Sequence, residues 1–309
     1  MRLPLPSDLP AILQPLVARN QQFLSDALAA HPELDLNAWS PLHRQQFDQV
    51  AAASDFVLGL AQREPAMLFG LLTSGELERR YAPGELRGHI AAVAQAAQSD
   101  DELARNLRRE RNRQQLRIIW RDITRQAELS ETCRDLSDLA DAAIDEAYQW
   151  LYPRHCQQFG TPIGNRSGQP QHMVVLGMGK LGAVELNLSS DIDLIFGFPE
   201  GGETEGVKRS LENQEFFTRL GQRLIKALDP VTVDGFVFRV DMRLRPYGSA
   251  GALVLSFNAL EQYYQDQGRD WERYAMIKAR VVAGDQAAGA QLQEMLRPFV
   301  YRRYLDFSA

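Results

Sequence analysis

Apolar residues in the first half of the chain recur at the three- and four-residue spacing of amphipathic helices. Ser40 followed by Pro41 is typical of a helix start, and so is the Ser-x-x-Glu spacing of Ser99 and Glu102. Two long segments then carry apolar side chains at helical intervals: Leu103, Leu107, Leu116, Ile119, Trp120, Ile123, Leu136, Leu139, Ala143, Tyr148 and Leu151. The pattern predicts a helical N-terminal region over residues 1–158.

The pattern changes at residue 159, where "FGTPIGNRSGQPQH" collects glycine and proline and predicts a loop or loose hairpin. Strand-type segments follow in "MVVLGMG", "DIDLIFGF", "FVFRVDMRLR" and "ALVLS", with one amphipathic helix between the second and the third. That helix carries Phe217, Leu220, Leu224 and Leu228 on one side. We therefore predict an α/β core over residues 159–256. Helical spacing returns from Phe257, and residues 257–309, including "DWERYAMIKARVV", are expected to be a helical C-terminal part.

Composition narrows the function classes. The chain of 309 residues is 45% hydrophobic and 24% charged, as in an ordinary globular protein of about two domains. Its 34 basic and 40 acidic residues give a net charge of −6, which argues against a general nucleic-acid-binding protein. Cys133 and Cys156 have neither CxxC spacing nor clustered histidines, so we expect two buried thiols. No apolar run approaches the ~20 residues that span a membrane, and no signal peptide is evident, so we expect a cytoplasmic protein.

An aspartate pair marks the start of one predicted strand. Asp191 and Asp193 stand two residues apart, so their side chains share a face and lie ~6.5 Å apart at the backbone. Aspartate is depleted in strands, and a pair of them needs a compensating role. Two carboxylates at this spacing suit two divalent cations ~3.5–4 Å apart, and hard oxygen ligands favour Mg²⁺ or Mn²⁺ over zinc. The alternative is a solvated face or an ion pair with neighbouring arginines.

A third aspartate lies in "FVFRVDMRLR", where apolar residues alternate with polar ones. On the polar face, Asp241 stands among three arginines, Arg239, Arg243 and Arg245. If this strand adjoins the first, Asp241 supplies a third metal ligand and the arginines face phosphate oxygens, which guanidinium groups bind in a bidentate way.

A glycine-rich turn precedes the acids. "GMGKLG" places Gly177, Gly179 and Gly182 between a predicted strand and helix, where backbone N–H groups can approach a triphosphate and Lys180 adds positive charge. The spacing also matches the GxGxxG of a dinucleotide-binding fold. That alternative requires repeated parallel βαβ units, and the helical first half argues against it.

Four segments resemble the glutamate–ammonia ligase adenylyltransferase/adenylyl-removing family: "GMGKLG", "ELNLSSDIDLIF", "VDMRLRPYGSAGALVLSF" and "RDWERYAMIKAR". The resemblance extends from about residue 40 onward and implies an α+β fold of the polymerase-β-like nucleotidyltransferase class. In this chain, the mixed sheet of that class is expected to lie between an N-terminal helical region and C-terminal helices. It implies that Asp191, Asp193 and Asp241 are catalytic and hold two Mg²⁺. The nucleotide- and phosphate-binding candidates are Gly177, Gly179, Lys180, Ser189, Ser190, Arg243, Arg245, Lys278 and Arg280.

The resemblance also implies an activity. Family enzymes carry two such domains in a longer chain. One attaches AMP from ATP to a tyrosine of glutamine synthetase, and the other removes it with phosphate and releases ADP, under control by the PII signalling protein. This chain resembles the N-terminal, adenylyl-removing half and is expected to be truncated. AMP addition and a non-catalytic binding fragment remain alternatives, whereas an RNA-directed nucleotidyltransferase fits the acids but not the net charge.

Two further charged segments remain. The arginines of residues 105–125 are expected to form a solvated helix face with local acid partners, the alternative being that Arg117 or Arg121 reaches the nucleotide. In the segment "DWERYAMIKAR", Arg273 and Arg280 are expected to share a helix face, and so are Trp271 and Lys278. No role is assigned to His172.

Overall fold

Helices make up most of residues 11–301, the part of the chain that the computed structural model describes. The helices are α1 (Gln14–Ala30), α2 (Pro41–Ala53), α3 (Asp55–Arg63), α4 (Pro65–Thr73), α5 (Glu85–Gln95), α6 (Asp100–Ile123), α7 (Leu129–Phe159), α8 (Gly179–Gly182), α9 (Asn213–Leu228), α10 (Phe257–Asp266), α11 (Asp270–Ile277) and α12 (Gln286–Val300). The strands are β1 (Thr161–Pro162), β2 (Val174–Gly177), β3 (Ile192–Phe198), β4 (Thr204–Glu205), β5 (Val240–Asp241), β6 (Val254–Ser256) and β7 (Arg280–Gly284). The mixture confirms the predicted α+β class.

Packing divides the chain into two compact units. One unit holds the described residues up to Leu86 together with Arg109–Leu136. Its core is aromatic: the ring of Trp39 lies 5.6 Å from that of Phe47 and 4.7 Å from that of Phe69, and all three are buried. Aromatic pairs at these distances bury large apolar areas with defined geometry. The predicted start of α2 is confirmed, because the Ser40 side chain accepts a hydrogen bond from a backbone N–H of the first turn.

The arginine-rich helix α6 differs from the prediction. Arg117 is fully buried in this first unit, where it pairs with Asp135 at 3.2 Å and donates to two backbone carbonyls. Arg121 is also buried and pairs with Glu131 at 2.8 Å. The expectation of a solvated face is therefore wrong for these two arginines. A guanidinium can be buried when acids and carbonyls satisfy its donors, which the sequence spacing does not reveal.

The second unit holds Arg87–Arg108 and the described residues from Ser137 onward, and its centre is a five-stranded mixed sheet. Strand β2 pairs antiparallel with β3 and β7, whereas β5 and β6 both run parallel to β3. Strand β5 adjoins the first residues of β3 and β6 its last residues. The described residues contain no series of parallel βαβ units, which removes the dinucleotide-binding alternative.

Helix α9 covers this sheet with the apolar face predicted for it. Phe217, Leu220 and Leu224 are fully buried. Gly221 permits close approach, because a Cβ added there would lie 3.0 Å from the ring of Phe196. Every residue of β3 is buried except Asp193, which is partly exposed. The polar face of β3 is thus confined to the beginning of the strand.

The segment "FVFRVDMRLR" is not the long strand that its alternation predicts. Only Val240–Asp241 pair as a strand. Beyond them the guanidinium of Arg245 donates to the backbone carbonyls of Met242 and Gly251, and so closes a turn. Arg243 and Arg245 therefore do not stand in a row on one strand face.

The C-terminal part also differs from the prediction, because it is not entirely helical. Helix α11 ends at Ile277, and Arg280–Gly284 form β7 along β2. Arg280 consequently shares no helix face with Arg273, and Lys278 shares none with Trp271. Pairing with β2, which is a tertiary effect, overrides the helical spacing of this segment.

The predicted boundaries at residues 158 and 256 remain predictions, since they follow the change from helices to strands and not the packing of compact units. The thiols of Cys133 and Cys156 are only partly buried, which corrects the expectation of two buried thiols. Within residues 11–301, no helix is both long and apolar enough to span a membrane.

Candidate active site

Three aspartates meet where β3 and β5 begin to pair. The parallel register sets Ile192 opposite Val240 and Asp193 opposite Asp241, and Asp191 comes directly before β3. The backbone N–H of Ile192 donates to the carbonyl of Arg239 at 2.9 Å and closes the start of this pairing. The prediction that the two acidic segments are neighbours is confirmed. Long-range pairing thereby brings together carboxylates that are about fifty residues apart in the chain.

The carboxylates differ in their surroundings. Asp193 makes no side-chain hydrogen bond or ion pair with any described residue, and its pKa is raised by burial and then by the negative charges of Asp241 and Asp191. Asp241 is held by Arg243, whose backbone N–H and guanidinium both donate to it at 2.5–3.1 Å. These hydrogen bonds lower the pKa of Asp241 and outweigh the opposing effect of its burial.

Asp191 is paired with Arg239, which was expected to face phosphate oxygens and not to pair with this aspartate. Nε of Arg239 lies 2.5 Å from Oδ1 of Asp191, and its Nη2 donates to the backbone carbonyl of Ser189 at 2.6 Å. The sequence pattern already placed Arg239 on the polar face of this segment, because it alternates with the apolar residues as Asp241 does. Pairing with Asp191 became visible only when the strand register was known.

The glycine-rich turn lies against Asp193. The backbone N–H of Met178 donates to the Asp193 carbonyl at 2.9 Å. Gly179 has φ +55°, and a Cβ there would lie 3.2 Å from Oδ2 of Asp193. A side chain at this position would be strained and would crowd the carboxylate. Lys180 follows on the exposed side, with its Nζ 3.4 Å from Oγ of Ser190.

Two predicted phosphate-binding residues lie behind this turn. Arg280 pairs with Asp141 at 2.6 Å and also donates to the backbone carbonyls of Leu181 and Gly182. Lys278 pairs with Glu185 at 3.0 Å. Both side chains are therefore bound to protein groups. Their contacts connect β7 and the segment before it to the glycine-rich turn and the residues that follow it. Asp141 is a further residue that the sequence interpretation missed.

The three carboxylates match a hard divalent cation in chemistry, and Asp193 has no hydrogen-bond or ion-pair partner among the described residues. In this arrangement, however, residues 11–301 contain no group of three or more histidine, cysteine or acidic side chains that could hold a metal ion. In the same arrangement arginines are paired with the carboxylates of Asp191 and Asp241. Two cavities of about 760 Å³ in this unit are lined by other residues, so the acids belong to neither of them.

A mixed sheet that presents paired aspartates beside a glycine-rich turn, within an α+β fold, is consistent with the polymerase-β-like nucleotidyltransferase class. Residues 44–295 match the family model described as glutamate-ammonia ligase adenylyltransferase. The chain therefore belongs to the glutamate-ammonia ligase adenylyltransferase family, whose members are nucleotidyltransferase enzymes.

Curated relatives agree with this assignment. The chain is similar to a protein of Pseudomonas putida described as a bifunctional glutamine synthetase adenylyltransferase/adenylyl-removing enzyme, with 95% identity over 309 residues. Proteins of the same description from Pseudomonas syringae pv. tomato and Pseudomonas aeruginosa are 72% and 69% identical. Each comparison covers 100% of this chain and 32% of the relative. The chain thus spans about a third of the length of these relatives.

Proposed function

We propose that this chain carries out divalent-cation-dependent nucleotidyl transfer, with Asp191, Asp193 and Asp241 as the ligands of two Mg²⁺ or Mn²⁺ ions. The observation that carries the proposal is the register of β3 and β5, which sets Asp193 beside Asp241 with Asp191 two residues away. When bound, the cations would neutralise charge on the transferred phosphoryl group and activate the attacking oxygen. The ionised form of Asp193 is costly without such a role, because burial and the charges of Asp241 and Asp191 raise its pKa.

We assign to the nucleotide and to phosphate the predicted residues whose side chains or backbone border the acids: Gly177, Gly179, Lys180, Ser189, Ser190 and Arg243. Among them, Lys180 is exposed directly beyond the glycine turn. The side chain of Arg243 is 78% exposed, so that it can turn from Asp241 towards a phosphate oxygen. The contacts of Arg245, Lys278 and Arg280 suit these three for supporting the turns that border the site.

We further propose that the reaction is removal of AMP from an adenylylated tyrosine of glutamine synthetase. Inorganic phosphate attacks the phosphorus of the tyrosyl-AMP ester, the tyrosine oxygen leaves, and ADP forms. The description of the relatives, which names both adenylyl transfer and adenylyl removal, supports glutamine synthetase as the substrate protein. The removing direction rests on the resemblance of the lead-in helices and of "RDWERYAMIKAR" to the N-terminal half of such enzymes. Control by the PII signalling protein belongs to the same proposal.

The experiment combines the chain with adenylylated glutamine synthetase, Mg²⁺ and inorganic phosphate and measures ADP. We expect ADP release that depends on phosphate. Asp193→Asn should lower its rate by about a hundredfold or more, because the metal ligands act as a unit. Glu215→Gln, which changes an exposed acid on α9, is the matched control and should retain the rate.

The other outcomes separate the alternatives. AMP transfer from ATP to unmodified glutamine synthetase, without ADP release from the adenylylated form, would assign the adding direction. Binding of glutamine synthetase with neither reaction would identify a non-catalytic binding fragment and would overturn the catalytic proposal.

A further inference from the structure

The Arg239 side chain connects two segments at the edge of the acid cluster. Its Nε lies 2.5 Å from Oδ1 of Asp191, and its Nη2 donates to the carbonyl of Ser189. The guanidinium therefore contacts the segment that leads into β3 at two points. The Arg239 carbonyl also accepts from Ile192. The backbone therefore keeps these two segments together without help from the guanidinium.

This ion pair is exposed. The side chain of Arg239 is 50% exposed and that of Asp191 is 46% exposed. Pairs in such surroundings add little to folding stability, because water screens them and two side chains must be ordered. The guanidinium can therefore leave Asp191 without unfolding the strand start, which the backbone hydrogen bond and the β3–β5 pairing maintain.

The two arginines of the site differ in how they reach their acids. Arg243 lies two residues after Asp241 and supports it within one local turn, in which its own backbone N–H also donates. Arg239 instead reaches Asp191 from a different segment of the chain. Because the positively charged guanidinium lies on Oδ1 of Asp191 and would repel a second cation there, arginine and a divalent ion compete at Asp191.

Building on the proposed function, we propose that Arg239 is a resident counter-cation: it occupies Asp191 until a divalent cation binds the acid cluster and displaces it. Before the cation binds, Arg239 is a positioning residue: it holds Asp191 and the Ser189 segment in place. Because it must be displaced, it lowers the affinity of the acid cluster for the metal. Displacement leaves a free guanidinium at the edge of the site. A purely structural role predicts the opposite sign, because loss of a support for Asp191 would weaken metal binding.

The test is calorimetric titration of the full chain with MgCl₂ or MnCl₂ alone, at neutral pH and fixed ionic strength. We expect Arg239→Gln to bind the divalent cation roughly tenfold more tightly, because the guanidinium that competes with the cation for Asp191 is removed. The matched control is Arg219→Gln, which breaks an exposed pair of the same 2.5 Å length with Glu215 on α9. The affinity of this control should be unchanged.

A second variant tests whether the effect acts through Asp191. Asp191→Asn should weaken cation binding, and the addition of Arg239→Gln to it should restore no affinity. A tenfold gain in that background would overturn the inference, and so would unchanged or weaker binding by Arg239→Gln alone. If binding is abolished by Asp193→Asn yet not tightened by Arg239→Gln, the inference fails while the proposed function stands. Absence of any divalent binding that depends on these acids would overturn both.

Discussion

At the scale of single residues, the negative charge of Asp193 lowers the folding stability of the protein. The pKa of Asp193 is raised by burial and then by the charges of Asp241 and Asp191, and within residues 11–301 its side chain has no hydrogen-bond or ion-pair partner. A carboxyl group with a raised pKa in the folded state favours folding when protonated. That contribution is lost as the pH rises through the folded-state pKa, so the ionised Asp193 destabilises the protein at neutral pH.

We therefore predict that Asp193→Asn raises the melting temperature at pH 7, in the presence of a chelator, by roughly 1–4 °C. The gain should shrink as the pH falls towards the ordinary aspartate value of about 3.9, because both proteins are then neutral at this position. Thermal unfolding followed by circular dichroism checks this, with Asp26→Asn on the exposed face of α1 as the control. A lower melting temperature for Asp193→Asn at pH 7 would contradict the prediction.

At the scale of elements, the glycine turn depends on close packing of α8 against the segment before β7. A Cβ added to Gly182 would lie 1.9 Å from the carbonyl oxygen of Lys278 and 2.6 Å from that of Gly177. Real side chains do not tolerate such contacts with backbone atoms. Arg280, on β7, donates a hydrogen bond to the carbonyl of Gly182. The third glycine of the motif, Gly182, therefore allows α8 to pack against the segment before β7, whereas the second, Gly179, lies against the carboxylate of Asp193.

We predict that Gly182→Ala lowers the free energy of unfolding by roughly 2 kcal/mol or more, because the methyl group forces the turn and β7 apart. Gly88→Ala is a control of opposite sign. Gly88 lies exposed on α5 with no atom within 4 Å of an added Cβ, so alanine should raise the free energy of unfolding by roughly 0.5–1 kcal/mol. Urea unfolding measures both, and a neutral effect of Gly182→Ala would contradict the packing argument.

At the scale of the whole second unit, polar contacts centred on a buried histidine join α6, α7 and α9. His155 of α7 is fully buried, and its Nε2 lies 3.2 Å from the carbonyl of Phe216 in α9. Its Nδ1 faces Arg223, which also binds Asp100 of α6. An arginine can only donate, so the imidazole accepts at Nδ1 and is neutral. Burial, together with the charge of Arg223, lowers the pKa of His155 to about 4.

This neutral histidine makes stability depend on pH. Its contribution is present above the ordinary histidine value of about 6.5 and is lost as the pH falls towards the folded-state pKa, because the unfolded chain binds the proton first. We predict that the wild type loses roughly 1–3 kcal/mol of unfolding free energy between about pH 7.5 and pH 4 from this residue. His155→Gln, which does not titrate, should lose correspondingly less in the same urea titrations. Equal losses in the two proteins would refute the prediction.

Local pattern was enough to determine much of the molecule. The helical first half, the apolar face of α9 and the start of β3 follow from periodicity and capping, which are properties of neighbouring residues. The candidate acids Asp191, Asp193 and Asp241 were also identifiable, because aspartates in a strand pattern stand out against their context. These features needed no knowledge of which segments pair.

Tertiary structure decided everything that depends on contacts between distant segments. Register set Asp193 beside Asp241 and Arg239 beside Asp191, and pairing with β2 made a strand of Arg280–Gly284 where helical spacing predicted α-helix. Burial with acid partners turned Arg117 from an expected surface residue into part of a core. The physical reason is common to these cases: strand pairing and charge compensation join groups far apart in the chain, and their free energies exceed the small local preferences that the sequence pattern records.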